Sequence, residues 1–309
     1  MNRSTSNSNP PSWSWFPQST TLLAGERSRP VFITGIPRCG SSWVGEVLGN
    51  CHDIRYVFEP FNAQWMPVLR NRIHHFRYFS GQSEPPPLLQ LIAEGAFQGK
   101  QSWKQIGRAA YRGYMGTAWR TATRIVIKDP TASLMTDWIA NRFHAQILIV
   151  MRHPCGFASS IETLDWNLGV NSLLRQDALM QDHLEGFRDM LNRARNDKWL
   201  TRGAIWGAIH TVFARQLEYY PNWRLLRYED LCGDPVGQFE TLAEKFGLKL
   251  NNHTRKKIEA LSATNSTDSG STRRNSRLMP DIWRQRMSPG EIDAVMGIVG
   301  EFGLDYYTI

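Results

Sequence analysis

Cysteine is scarce in this 309-residue chain. Cys39, Cys51, Cys155 and Cys232 are scattered, with no CxxC pair and no Cys/His ligand spacing. That excludes a disulfide scaffold and a zinc ribbon, and a reduced, intracellular chain is the simpler expectation. Long apolar runs are missing as well: no stretch reaches ~18 consecutive apolar residues, so no membrane span is read. Residues 1–28, rich in Ser, Asn and Pro, contain no apolar run of signal-peptide length. There is no internal repeat and no Asp/Glu cluster with metal-ligand spacing. Lys plus Arg is 36 and Asp plus Glu is 28, a formal balance of +8, with 41% apolar and 21% charged residues. Collagen-like, coiled-coil and wholly disordered chains are thereby excluded. The modest positive balance fits nucleic acid, an acidic membrane surface or a polyphosphorylated small molecule, and charge alone does not choose among them.

Short apolar runs alternate with helical spacing. Residues 31–35 (VFITG) read as a buried strand ending in glycine. Over 41–49, Trp43, Val44, Val47 and Leu48 recur at helical spacing behind a serine start. Further strands are expected at 124–127 (RIVI), 146–151 (QILIVM) and 223–228 (WRLLRY), with a helix over 133–143 between the first two. Residues 171–220 read as two amphipathic helices, 261–279 as a Ser, Thr, Asn and Arg-rich mobile loop, and 288–302 as a helix opening Ser-Pro-Gly-Glu. The expectation is a disordered tail over 1–28 and one α/β domain over 29–309. Its mostly parallel central sheet would be flanked by helices on both faces, with the ligand at the carboxyl ends of the strands.

Residues 35–42 (GIPRCGSS) have the spacing of a phosphate-binding loop: Gly35, four residues, Gly40. Backbone N–H groups of such a loop and of the helix behind it cradle an anion. The Walker pattern then requires Lys followed by Ser or Thr. Here Ser41 stands at the lysine position, which argues against a conventional ATPase or GTPase, and the cation lies inside the loop as Arg38. The plainer alternative is a glycine turn joining strand to helix. Arg152 ends an apolar strand, where a cation faces the ligand crevice; a surface salt bridge is its plainer role. Pro154 in a first helical turn, with Ser159 and Ser160 one turn on, makes a second anion cradle. Glu59 lies in the apolar segment 57–61 (VFEPF), where an unpaired carboxylate is costly. Burial is expected to raise its pKa towards the range of a general base; a hydrogen bond to loop backbone is the alternative. Lys128 ends a strand beside Asp129, with which it has an obvious opportunity to pair.

The segment TGIPRCGSSW resembles the 5′-phosphosulfate loop of the sulfotransferases that use 3′-phosphoadenosine 5′-phosphosulfate (PAPS). Three further stretches are similar in family order. Arg152-His153-Pro154 leads to Ser160 at the spacing of the family's 3′-phosphate motif. Arg227-Tyr228-Glu229-Asp230-Leu231 with Asp234-Pro235 is close to its RYEDL…DP stretch. Trp283-Arg284 before a last helix is close to the WR segment of carbohydrate-type members. The resemblance implies a P-loop-like three-layer sandwich and transfer of a sulfuryl group from PAPS, without a metal, to an acceptor hydroxyl. On that reading Pro37, Arg38, Cys39, Gly40, Ser41, Ser42 and Trp43 bind the donor, and Arg152 and Ser160 hold its 3′-phosphate. Arg273, Arg274 and Arg277 would close over it, though a solvated basic loop is an equal alternative and the family's RKG triplet is absent. Arg38, Glu59 and Lys128 would be catalytic: Glu59, in a family-like FEP stretch, as base, and Lys128, at a K-x-P position, offsetting charge on the transferred group. His52 is the second candidate for the base.

The acceptor expected from the FEP and WR stretches is a carbohydrate or glycolipid, as a small molecule or glycan. Nucleic acid is not expected, self-association into a homo-oligomer is left open, and the location expected is cytoplasmic. Two other readings stay in play: a nucleotide or small-molecule kinase built on the same loop, and a non-catalytic nucleotide- or polyanion-binding protein.

Overall fold

The computed structural model describes residues 29–69, 75–101, 124–263 and 279–307. The tail read at 1–28 and the arginines Arg273, Arg274 and Arg277 therefore lie outside the described residues.

Five strands, β1 (Val31–Gly35), β2 (Ile54–Phe58), β3 (Arg124–Lys128), β4 (Gln146–Met151) and β5 (Arg224–Arg227), form one sheet in the order β2-β3-β1-β4-β5. Every adjacent pair is parallel. All five residues of β1 are buried, so both faces of the sheet centre are covered, as a parallel sheet requires. This is the α/β architecture expected from the alternation of strands and helices. The element missed in the sequence is β2. Its run IRYVF carries Arg55 in the middle and sits at the sheet edge, so it lacks the unbroken apolar signature of β1 and β4.

The helices that matter for the site are α1 (Ser41–Leu48), α2 (Pro87–Phe97), α3 (Thr136–Phe143), α4 (Pro154–Thr163), α5 (Lys198–Tyr219), α6 (Tyr228–Gly233), α7 (Pro235–Phe246), α8 (Asn252–Ala263) and α9 (Pro289–Gly300). The stretch read as two helices over 171–220 is a series of short helical turns followed by the 22-residue α5. Asp197 starts α5 cleanly by accepting the Trp199 and Leu200 N–H groups at 2.7 and 2.8 Å, and α5 packs against α4 and α9. The final helix starts at the Ser-Pro-Gly-Glu stretch as expected and closes it with a capping box: Ser288 and Glu291 bond reciprocally to each other's backbone. No described helix is long and apolar enough to cross a membrane.

The strand order decides where a ligand can sit. From β1 the chain leaves towards β2 on one side of the sheet, and from β4 it leaves towards β5 on the other. The connections diverge between β1 and β4, and divergence opens a crevice at the carboxyl ends of these two strands. The loops that follow them carry Arg38 and Arg152.

Candidate active site

The loop after β1 is held in a backbone conformation that its glycines permit. Gly40, at φ 100°, caps α1, and a Cβ there would overlap the Tyr228 ring. Arg38 also adopts a positive φ, 70°, which is uncommon for a residue with a side chain and directs it out of the turn. Trp43 and Val44 donate their N–H groups back to the Gly40 carbonyl at 3.0 and 3.3 Å, closing the first turn of α1. The first-turn amides of Ser41 and Ser42 have no acceptor within the helix, as at any helix start.

These elements border a cleft of about 980 Å³ whose walls include Pro37, Arg38, Gly40, Ser41, Ser42 and Trp43. Cys39 turns the other way: its side chain is fully buried, and burial pushes its thiol pKa up. Arg38 Nε donates to Ser160 Oγ at 3.1 Å, joining the two cradles that the sequence kept 122 residues apart. Arg152 lies against them, only 9% exposed, with its guanidinium 4.7 Å from the centre of the Tyr228 ring. It donates to the carbonyls of Arg38 at 3.2 Å and Met279 at 3.3 Å, and its Nε has no partner. The surface salt bridge considered for Arg152 is thus overturned: among the described residues it touches carbonyls and a ring, not a carboxylate. Ser159 Oγ and Trp43 Nε1 are likewise buried without a partner. Both residues line the cleft.

Register explains the second cluster. Phe58 stands opposite Lys128 across β2 and β3, and the ladder continues as Glu59 N–H donates to the Lys128 carbonyl at 2.8 Å. The fully buried Lys128 ammonium pairs with Glu59 Oε1, donates to Ser42 Oγ at 2.9 Å and sits 3.9 Å from the centre of the Phe58 ring. Glu59 Oε2 accepts from Asn62 Nδ2 at 2.7 Å and Trp65 Nε1 at 3.0 Å. Glu59 itself lines the cleft, whereas Lys128 stands behind the wall.

Two expectations are corrected by this arrangement. Burial does press the Glu59 carboxyl upward, but the Lys128 charge and three hydrogen bonds outweigh it and hold the group below the usual carboxylate range. Lys128 does not pair with Asp129. The Asp129 carboxylate instead takes the N–H groups of Phe61 at 2.7 Å and Thr131 at 2.9 Å, and the Thr131 hydroxyl at 2.6 Å. Burial, then the neighbouring Glu59 charge, pushes its carboxyl up to about 7.

His52 is exposed in the turn before β2, at the opposite end of that strand from Glu59, and does not line the cleft. His75 does, and sequence reading missed it. Its neighbour Phe76 is pinned beside the cleft by Phe76 N–H to the Thr131 carbonyl at 3.1 Å and Gln176 Nε2 to the Phe76 carbonyl at 2.9 Å. Tyr228, of the RYEDL stretch, and Arg286 are two more cleft residues to which sequence reading gave no site role; each is brought there by the fold. Trp283, of the WR segment, faces away and stacks on His153 at 4.5 Å. No group of three or more His, Cys, Asp or Glu side chains is placed to hold a metal among the described residues.

Fold and site together define a class: a parallel α/β protein whose central strand β1 runs through a glycine loop carrying Arg38, with Ser41 at the Walker lysine position, into a helix. The chain belongs to the sulfotransferase family, whose model matches residues 30–252. Solved structures similar to it include the sulfotransferase domain from the Synechococcus PCC 7002 olefin synthase, at 16% identity over 91% of this chain and 97% of that one, with TM-score 0.46. The sulfotransferase domain from the curacin biosynthetic pathway is similar at 14% identity over 90% and 98%, with TM-score 0.47. Mouse sulfotransferase SULT7A1 complexed with PAP is similar at 12% identity over 93% and 91%, with TM-score 0.43. No curated protein matches this chain.

Proposed function

We propose that the cleft binds PAPS and transfers its sulfuryl group to an acceptor hydroxyl. The observation that carries this reading is a set of buried donors on cleft-lining residues that have no acceptor among the described residues: Arg152 Nε, Ser159 Oγ and Trp43 Nε1. Each such group costs about 1–3 kcal/mol when left unsatisfied. Their residues line the same cleft as Arg38, Ser160 and the first turn of α1, an arrangement suited to a ligand with more than one anionic group.

In this reading Arg38, Ser41, Ser42 and the loop amides hold the 5′-phosphosulfate, while Arg152 and Ser160 hold the 3′-phosphate. The acceptor oxygen bonds to sulfur as the bond from sulfur to the bridging phosphate oxygen breaks. The acceptor proton passes to Glu59, and Arg38 meets the charge left on the 5′-phosphate. The protein contributes position and fixed charge. Because Lys128 keeps Glu59 ionised at neutral pH, the carboxylate is ready to accept a proton but is a weak base. The proton therefore moves late, once the acceptor oxygen is bonding to sulfur. Lys128 acts from behind the wall, by orienting Glu59 and Ser42.

The acceptor proposed is a carbohydrate or glycolipid. Of the two stretches behind that reading, only the one carrying Glu59 faces the cleft. Trp166, 44% exposed on the cleft wall, adds support by offering a ring face to a sugar.

Calorimetry with PAP, ADP and ATP on the wild type and Arg152→Ala tests the proposal. PAP is expected to bind more tightly than ADP. Arg152→Ala is expected to weaken PAP by about 2 kcal/mol, roughly thirtyfold, with ADP nearly unchanged. Equal affinities for PAP and ADP in the wild type, or a magnesium-dependent preference for ATP, would sink the reading and promote a kinase.

A further inference from the structure

The stretch RYEDL and the Trp-Arg pair took no part in the chemistry above, yet both meet at one peptide, the one joining Arg152 to His153. Its carbonyl accepts from Trp206 Nε1 of α5 at 2.8 Å, and its N–H donates to Glu229 Oε1 of α6 at 3.0 Å. The other Glu229 oxygen accepts the Tyr307 hydroxyl at 2.6 Å. Tyr307 in turn presents its ring to the edge of His153 at 4.9 Å and lies under the Arg227 guanidinium at 4.6 Å. The His153 ring also stacks on Trp283, their planes nearly parallel at 11°, and His153 Nδ1 accepts the Cys155 N–H at 3.1 Å, starting α4. Burial, then the Glu229 charge, raises the Tyr307 pKa, which keeps its hydroxyl a donor.

The Arg152 guanidinium lacks such definition. Its two hydrogen bonds, 3.2 and 3.3 Å, are long and go to neutral carbonyls, and its Nε has none. Its direction is set by packing against Tyr228 and Gly156 together with the backbone it hangs from, and that backbone is fixed by side chains on the face away from the cleft. Those side chains border a separate polar cavity of about 400 Å³ that contains His153, Arg227, Glu229, Trp283 and Tyr307 but not Arg152.

We infer that Glu229 and Tyr307 are positioning residues for Arg152: a carboxylate–phenol relay behind the cleft fixes the Arg152–His153 peptide and so sets the preference for a nucleotide bearing a 3′-phosphate. This rests on the proposal that Arg152 holds that phosphate. The stretch RYEDL then has two uses in one turn, since Tyr228 supports the guanidinium from the cleft side and Glu229 holds its peptide from behind.

The test is the ratio of ADP to PAP dissociation constants by calorimetry, with melting temperature recorded alongside. Tyr307→Phe keeps the ring contacts and removes only the hydroxyl. Glu229→Gln keeps one oxygen acceptor and cannot serve both donors as acceptor. Each is expected to weaken PAP roughly three- to tenfold, the range for one lost hydrogen bond, while ADP stays within about twofold. Because both act through one relay, the double variant is expected to be no worse than Glu229→Gln alone. Equal weakening of PAP and ADP would mean a merely structural role and overturn the inference. So would unchanged ratios in both variants while Arg152→Ala abolishes the preference. If Arg152→Ala itself leaves the ratio unchanged, the 3′-phosphate assignment falls first and takes this inference with it.

Discussion

Removing either member of the Lys128–Glu59 pair is expected to cost more than removing both. Lys128 is fully buried and cannot turn to water when its partner is lost, and Glu59, 9% exposed at the cleft wall, regains little hydration. In Glu59→Gln the ammonium keeps Ser42 Oγ and the Phe58 ring but has no counter-charge; in Lys128→Met the carboxylate keeps only Asn62 and Trp65 as donors. Breaking a buried pair from one side costs roughly 3–5 kcal/mol, whereas replacing both ions by neutral groups of similar volume is often close to neutral. The ring contact and the remaining hydrogen bonds place each single variant near the lower end, at about 3 kcal/mol. In Glu59→Gln/Lys128→Met the amide oxygen still accepts from Asn62 or Trp65 and the methionine fills the lysine stem, so the double variant is expected to lose only about 1–2 kcal/mol. The coupling is then about 4–5 kcal/mol, far above the few tenths seen for independent sites. Urea unfolding at neutral pH without nucleotide measures all four corners, and each single variant should melt roughly 5 °C lower. Additive losses would refute the claim that the pair is a buried, mutually compensated unit. In the same set Glu59→Gln should abolish turnover while binding PAP like the wild type, as expected of a base that does not hold the nucleotide.

Gly40→Ala combines a strained φ of 100° with a Cβ that overlaps the Tyr228 ring, and that ring supports Arg152. It is expected to lose about 2–4 kcal/mol of stability together with PAP binding, and a wild-type melting curve would contradict the loop geometry. Acid should destabilise the protein below about pH 6.5. Burial holds His153 and His183 down at about 4 and His210 at about 3, so the unfolded chain binds three protons that the folded one refuses between those values and 6.5. Glu59, held below its ordinary value, adds a loss of the same sign as pH falls further. Asp129, raised to about 7, works the other way, because the folded state keeps a proton there that the unfolded state gives up. Asp137, raised chiefly by burial, acts in the same sense as Asp129. Three histidines against two carboxyls predict a melting temperature that falls from pH 7 to 4.5, and a flat or rising profile would overturn the assignment of neutral, buried histidines.

Much of the site could be read from local residues because its chemistry is locally encoded. Gly35 and Gly40 mark a tight loop between strand and helix, Arg38 replaces the absent Walker lysine, and Pro154 with Ser160 sits at a helix start after an apolar strand. Each signal spans fewer than about a dozen residues, the range over which spacing and turn chemistry act. The same local signals yielded four of the five strands and the parallel sheet.

Partnerships were another matter. That Glu59 pairs with Lys128 and not Lys128 with Asp129 depends on the register that sets Phe58 opposite Lys128, across 69 residues of chain and through the edge strand whose pattern was too weak to read. The same distance hides the reversal of the expected pKa shift: burial could be anticipated from an apolar segment, but not the cation waiting there. His75, Tyr228 and Arg286 reach the cleft because strand order opens a crevice between β1 and β4 and folds distant loops over it. Sequence alone determined the glycine loop between strand and helix, the sheet class and the proline helix start after β4. Tertiary structure decided which charges compensate one another and which face the cleft, because Coulomb and desolvation energies depend on distance and burial, and neither is a property of position along the chain.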